Sequence, residues 1–127
     1  MNAIYLSTSG DTTTQLPIPL EMQGYGCGII EMTGKVYHRE KEPLYLCSNI
    51  CEESFVGNNK MPILQRIKRG ASGIVNSNIH NIIWLRVMRP TISSIRLYIA
   101  NGKGEIISLG SEELNCTLLF IPNKNDR

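Results

Sequence analysis

The chain has 127 residues, 42% of them hydrophobic and 19% charged. That fits one domain spanning residues 1–127, with enough chain to bury its own core, and it excludes the disordered and fibrous classes. Thirteen cations against eleven carboxylates leave a net charge of +2, which gives no electrostatic reason to expect nucleic acid or an acidic membrane as the main partner.

Taken in chain order, the apolar segments are short and alternate with a period of two, the spacing of a strand with one buried face. Candidate strands fall near 2–7, 15–20, 25–32 and 44–51. The first, within Met1-Asn2-Ala3-Ile4-Tyr5-Leu6, lacks the basic start and apolar core of a signal peptide. The third opens with Gly24-Tyr25-Gly26-Cys27-Gly28. No lysine of a phosphate loop follows it, and alternate glycines on a strand mark the close approach of another backbone or a large side chain. The charged stretch from His38 to Pro43 reads as a solvated loop. Glu52 and Glu53 would point to opposite faces of a strand and cannot act together there.

Gly57-Asn58-Asn59 reads as a loop. Residues 61–67 form the next candidate strand, although Met61, Leu64 and Ile67 also carry helical spacing and Pro62 leaves helix and strand open over 61–68. After the loop at Gly70-Ala71-Ser72-Gly73 come strands near 81–89 and 94–100. In the first, Ile83, Leu85 and Val87 oppose Trp84, Arg86 and Met88; in the second, Ile95, Leu97 and Ile99 oppose Ser94, Arg96 and Tyr98. Asn101-Gly102 signals a type I′ hairpin turn leading to a short strand at 105–109. The last strand, 113–121, faces Leu114, Cys116, Leu118 and Phe120 inward. Its Leu118-Leu119-Phe120-Ile121 run is far below the roughly 18 residues of a bilayer helix, so no membrane span is expected. Eight or so short antiparallel strands with turns between them predict an all-β sandwich or barrel, in a soluble protein of a reducing compartment.

The reactive residue types form no recognisable catalytic pattern. The sequence contains no HExxH, GxSxG, Walker or dinucleotide-binding motif. Cys47 and Cys51 are the only close cysteine pair; on one strand they would lie about 13 Å apart, too far for a disulfide. Cys27, Cys47, Cys51 and Cys116 are therefore expected to be reduced and buried. His38 and His80 stand too far apart in sequence for a zinc or cupin-type cluster. No cofactor and no metal are expected, and the chain reads as a protein that binds or builds. The basic cluster Arg66, Lys68 and Arg69 is a candidate for contacts with an acidic partner, against the plainer reading as a solvated loop.

Several segments, in order, resemble the minor capsid (penton) proteins of polintons, or Mavericks, and adintoviruses. They are the stretch from Thr13 through Leu16-Pro17-Ile18-Pro19-Leu20 to Gly28-Ile29-Ile30-Glu31, then Leu44-Tyr45-Leu46 through Phe55-Val56-Gly57, Met61-Pro62-Ile63-Leu64, and Ile92–Ile99 with the closing strand at 114–120. The family's Trp-Glu is replaced by Tyr25-Gly26. The resemblance implies a single jelly roll, an antiparallel β-sandwich. It also implies a homopentamer at the icosahedral vertices of a virus or virus-like transposon, set among double-jelly-roll major capsid proteins in a virion capsid assembled inside the host cell. On that reading Arg66, Lys68 and Arg69, with Asn123, Lys124 and Arg127 of the polar C-terminal segment, are the subunit-interface candidates. The alternative is a small cellular β-sandwich binding module without catalytic activity.

Overall fold

In the computed structural model, which describes residues 2–37, 42–70, 72–79 and 81–122, the period-two segments become antiparallel strands, and the described residues contain no helix. The strands are β1 (Asn2–Thr8), β2 (Asp11–Glu21), β3 (Tyr25–Lys35), β4 (Leu44–Ser48), β5 (Ser54–Val56), β6 (Asn59–Met61), β7 (Ile63–Ile67), β8 (Ile74–Asn78), β9 (Leu85–Arg86), β10 (Thr91–Asn101) and β11 (Leu114–Pro122). Pairing is nested: β1 pairs with β11, β2 with β10, β3 with β8, and β4 with β7. The chain is thus one long antiparallel hairpin with the small β5–β6 hairpin at its bend. Further pairing of β3 with β11 and of β4 with β10 winds it into two sheets, ordered β1-β11-β3-β8 and β2-β10-β4-β7.

The sheets form an all-β sandwich because their inward faces share one core. Leu6, Ile29, Met32, Leu118 and Phe120 from the first sheet meet Leu44, Leu46, Leu64, Ile95, Leu97 and Ile99 from the second. β1 lies across from β2 and β10, and β3 lies across from β7. Burying each such aliphatic side chain is worth roughly 1.5–3 kcal/mol. The alternation read at 94–100 and near the C-terminus is found: Ile95, Leu97, Ile99, Leu114, Cys116, Leu118 and Phe120 are all buried.

Residues 61–67, open between strand and helix in sequence, are extended: Met61 ends β6, and Ile63–Ile67 form β7 at the edge of the second sheet beside β4. Three local expectations are corrected. The long strand expected at 81–89 shrinks to Leu85 and Arg86, which pair with Cys27 and Gly26. Ile83, read as core, is 53% exposed. The segment before Leu85 instead runs over β3 at Gly28, where a Cβ would sit 2.6 Å from Ile82 Cγ2 and 3.2 Å from Trp84 Cε3. The close approach foreseen for the alternate glycines is therefore found at Gly28, supplied by Ile82 and Trp84, and not at Gly24, where nothing lies within 4 Å.

The second correction is a strand, β8, that no alternation announced. Its sequence, Ile74-Val75-Asn76-Ser77-Asn78, is mostly polar; Val75 packs in the core and Ile74 is half exposed. The third concerns Asn101-Gly102. Among the described residues none other than glycine has positive φ, and the left-handed position in this turn is Gly104, at +82°. Asn101 stays in β10, and its Oδ1 accepts the N–H groups of Lys103 and Glu105, each at 3.0 Å. The following segment makes only an isolated bridge, Ala100 to Ile106.

The segment after β9 fastens the two sheets together. Val87 donates its N–H to Tyr25 O at 3.1 Å, and Met88 donates to Ile50 O at 2.8 Å. This closes the end of the sandwich where β2 turns into β3.

Candidate functional site

The chain's least ordinary strand is β2, because it carries Pro17 and Pro19 in an edge position. Proline has no N–H to give to a ladder and is tolerated in sheets only at edges and bulges. The register records the consequence: Ile92 faces Leu20 and Ser94 faces Gln15, so Leu16, Pro17, Ile18 and Pro19 oppose the single residue Ser93. The four residues bow away from β10 as an arch. Leu16 and Leu20 pack against the core and hold its two feet, while Ile18 is left 71% exposed at its crest.

Beside the arch runs the free edge of β1. Ile4 leans on the core, and the alternation turns Ala3 and Tyr5 outward, Tyr5 being 78% exposed. Between arch and strand lies an apolar groove lined by Ala3, Ile4, Tyr5, Leu16, Ile18 and Leu20. At its lower end Glu21 is exposed, accepting the Thr91 hydroxyl at 3.2 Å. At the upper end Asp11 is taken by Arg96, Nε and Nη2 reaching its two oxygens at 2.9 and 2.8 Å. This bidentate hydrogen bond holds the Asp11 carboxyl below the ordinary aspartate range.

The opposite side of the sandwich carries the basic cluster. Arg66, on β7, faces outward opposite Tyr45, and Lys68 follows the end of the strand; both are exposed. Arg69 differs, because its Nη2 donates to the Glu42 carbonyl at 2.8 Å and ties β7 to the start of β4. The structure thus keeps Arg66 and Lys68 at the surface and uses Arg69 internally. Arg86 lies on the same side, exposed on β9, together with half-exposed Ile74, Ile83 and Trp84. Asn123, Lys124 and Arg127 lie outside the described residues, as do His38 and His80.

Two further surfaces are built. The β5–β6 hairpin folds over the outer face of the second sheet, where Cys47, Met61 and Ala100 form a small cluster with Tyr45, Val56, Ile63 and Tyr98. Asn59 Nδ2 fastens it to Gly102 O at 2.8 Å. Phe55 remains 74% exposed on this flap, with Lys60 Nζ 5.7 Å from its ring. On the outer face of the first sheet, a hollow of about 230 Å³ is lined by Tyr5, Ser7, Glu31, Thr33, Asn115 and Thr117, the Thr117 hydroxyl donating to Glu31 at 2.9 Å.

All four cysteines are free and buried. Loss of hydration pushes the Cys27, Cys47 and Cys116 thiols up to about 12 and raises Cys51 as well; Glu52 adds to the shift at Cys27, and a hydrogen bond with Tyr98 offsets part of it at Cys47. A buried thiol held protonated in this way is a poor nucleophile at neutral pH. Among the described residues, no three His, Cys, Asp or Glu side chains converge on a point where a metal could sit, and no helix is long and apolar enough to cross a membrane.

The arch and Tyr5 were not foreseen as surface features, whereas the alternation at 81–89 already set Trp84 on the face away from Leu85 and Val87, and it is 42% exposed. Pro17 and Pro19 carried a usable signal, since neither has an N–H to give to a ladder, which puts a strand with two of them at an edge or a bulge. Compared with known proteins, the chain matches no protein-family model, and no curated protein matches it significantly.

Proposed function

We propose that this chain is a structural subunit without catalytic activity: a penton-type minor capsid protein that assembles as a homopentamer at icosahedral vertices, beside a double-jelly-roll major capsid protein in a virion capsid assembled inside the host cell. The nested pairing carries the reading. A long hairpin wound into sheets ordered β1-β11-β3-β8 and β2-β10-β4-β7 fits the double Greek key of a jelly roll. The ordered motifs from Thr13 to Phe120, resembling polinton and adintovirus minor capsid proteins, support the same reading. So does the placement of exposed apolar side chains at the edges of the sandwich, since closed rings are built from lateral contacts.

Co-expression with a double-jelly-roll major capsid protein tests it. The expected result is particles that contain this chain at their vertices; particles that consistently exclude it would reject the proposal. A second reading, a small cellular β-sandwich binding module, is favoured by the polar hollow beside Tyr5, whose hydroxyl, amide and carboxylate lining suits a small polar ligand. A monomer that binds such a ligand would select it.

A further inference from the structure

Charge is segregated along this chain. Residues 1–34 hold Asp11, Glu21 and Glu31 and no lysine or arginine, whereas residues 54–104 hold eight cations and no carboxylate. The fold turns that segregation into two opposite sides. β1 and β2 are the edges on one side, and their carboxylates are Asp11, neutralised by Arg96, and Glu21. β7, β8 and β9 lie on the other side, with Arg66, Lys68 and Arg86 at the surface.

The apolar features of the two sides lie at one height. Ladder hydrogen bonds run perpendicular to antiparallel strands, so cross-strand partners form level rows. Ala3, which lines the groove, faces Leu119, and Leu119 faces Gly28. Gly28 is the point that Ile82, the Ile83 carbonyl and Trp84 pass over. One row therefore starts in the groove at one edge and ends at the Ile83–Trp84 strip on the other. Glu21 and Arg86 also share an end, since Arg86 pairs with Gly26 just after β2 has turned into β3.

We infer that the partner of the arch groove is a second copy of this chain. The groove bounded by Ala3, Tyr5 and Ile18 receives the Ile83–Trp84 strip of the next subunit, and Glu21 meets its Arg86. The contact is heterologous, joining two different surfaces, which is the kind that closes rings. The carboxylate flanks one surface and the cations flank the other, so head-to-tail docking is attractive while arch-to-arch docking brings like charges together. This inference rests on the reading as a ring-forming subunit and names the surfaces that make the ring.

Face-blocked variants test it. I18D blocks the groove, and I83D/R86E blocks the strip, both acidic so that the two blocked faces repel each other in the mixture; circular dichroism checks that each is folded, and the milder I18S and R86E serve if either is not. Each blocked variant alone should be monomeric, and an equimolar mixture should give a dimer and nothing larger, because one intact groove and one intact strip remain. The milder variants should each weaken the wild-type ring by about tenfold, as loss of an interface anchor does. Trp84 is the only tryptophan, so its emission should shift to the blue when the mixed dimer forms. A blocked variant that keeps the wild-type mass, or a mixture that stays monomeric, would overturn this pairing while leaving a wild-type oligomer to be explained by other surfaces. A monomeric wild-type protein would instead remove the ring reading itself.

Discussion

At the scale of single residues, burial governs the reactive side chains. The four thiols sit in the core with their ionisation suppressed, Cys27, Cys47 and Cys116 at about 12. Alkylation of the native protein at neutral pH should therefore be slow, and unfolding without reductant should release four labels. Fewer than four would reveal a disulfide or a bound metal. The Asp11–Arg96 pair contributes in one pH window. Its aspartate is held below the ordinary value near 3.8, so the stabilisation is complete above that pH and is lost as pH falls through the lowered value. Both side chains are exposed, which limits the gain to about 0.2–1 kcal/mol. Asp11→Asn should cost that much at pH 7 and progressively less as pH falls through the lowered value, as urea unfolding over an acid pH series would measure.

At the scale of elements, packing separates strands that look alike in sequence. Ile83 and Leu97 both stand in alternating apolar segments, yet Leu97 lies between the sheets and Ile83 lies outside them. Leu97→Ala should cost roughly 2–5 kcal/mol, and Ile83→Ala less than about 0.5 kcal/mol. Denaturant midpoints of the two variants would reverse in order if the core had been misassigned. Gly28→Ala should cost about 1–3 kcal/mol by pushing Ile82 and the 82–84 backbone off β3, with a change in Trp84 emission that a remote core substitution would not produce. The contrast shows what was legible. Period two identifies a strand wherever one face is apolar and the other polar, which is why β10 and β11 could be read closely. β8 could not be read, because a mostly polar edge strand has almost no alternation to show. The shortening at 81–89 was hidden for the opposite reason: Ile83 and Trp84 are apolar but serve the surface. Of the candidate site, Arg66 and Lys68 were legible as exposed cations, whereas the arch needed the register of β2 against β10.

At the scale of the whole molecule, the fold leaves an isolated subunit with unfinished business at its sides. The core is closed, and the segment after β9 fastens one end of the sandwich. Even so, Tyr5, Ile18, Ile83 and Phe55 are more than half exposed; Glu21 lies on the β2 edge, where Arg96 is taken up by Asp11, and Arg66, Lys68 and Arg86 lie on the other side, with Glu52 beside Arg86. The proposed ring would cover Tyr5, Ile18 and Ile83 at each contact. Electrostatic attraction between the edges also makes assembly sensitive to ionic strength. Raising salt from about 0.1 to 1 M shortens the Debye length from about 10 to 3 Å, so it should weaken the ring while leaving the melting temperature nearly unchanged. The measurement closest to the central claim is the native mass of the purified wild-type chain at low salt and high micromolar concentration. The account predicts a closed species of five times 14.2 kDa, and a strictly monomeric protein under those conditions would contradict it.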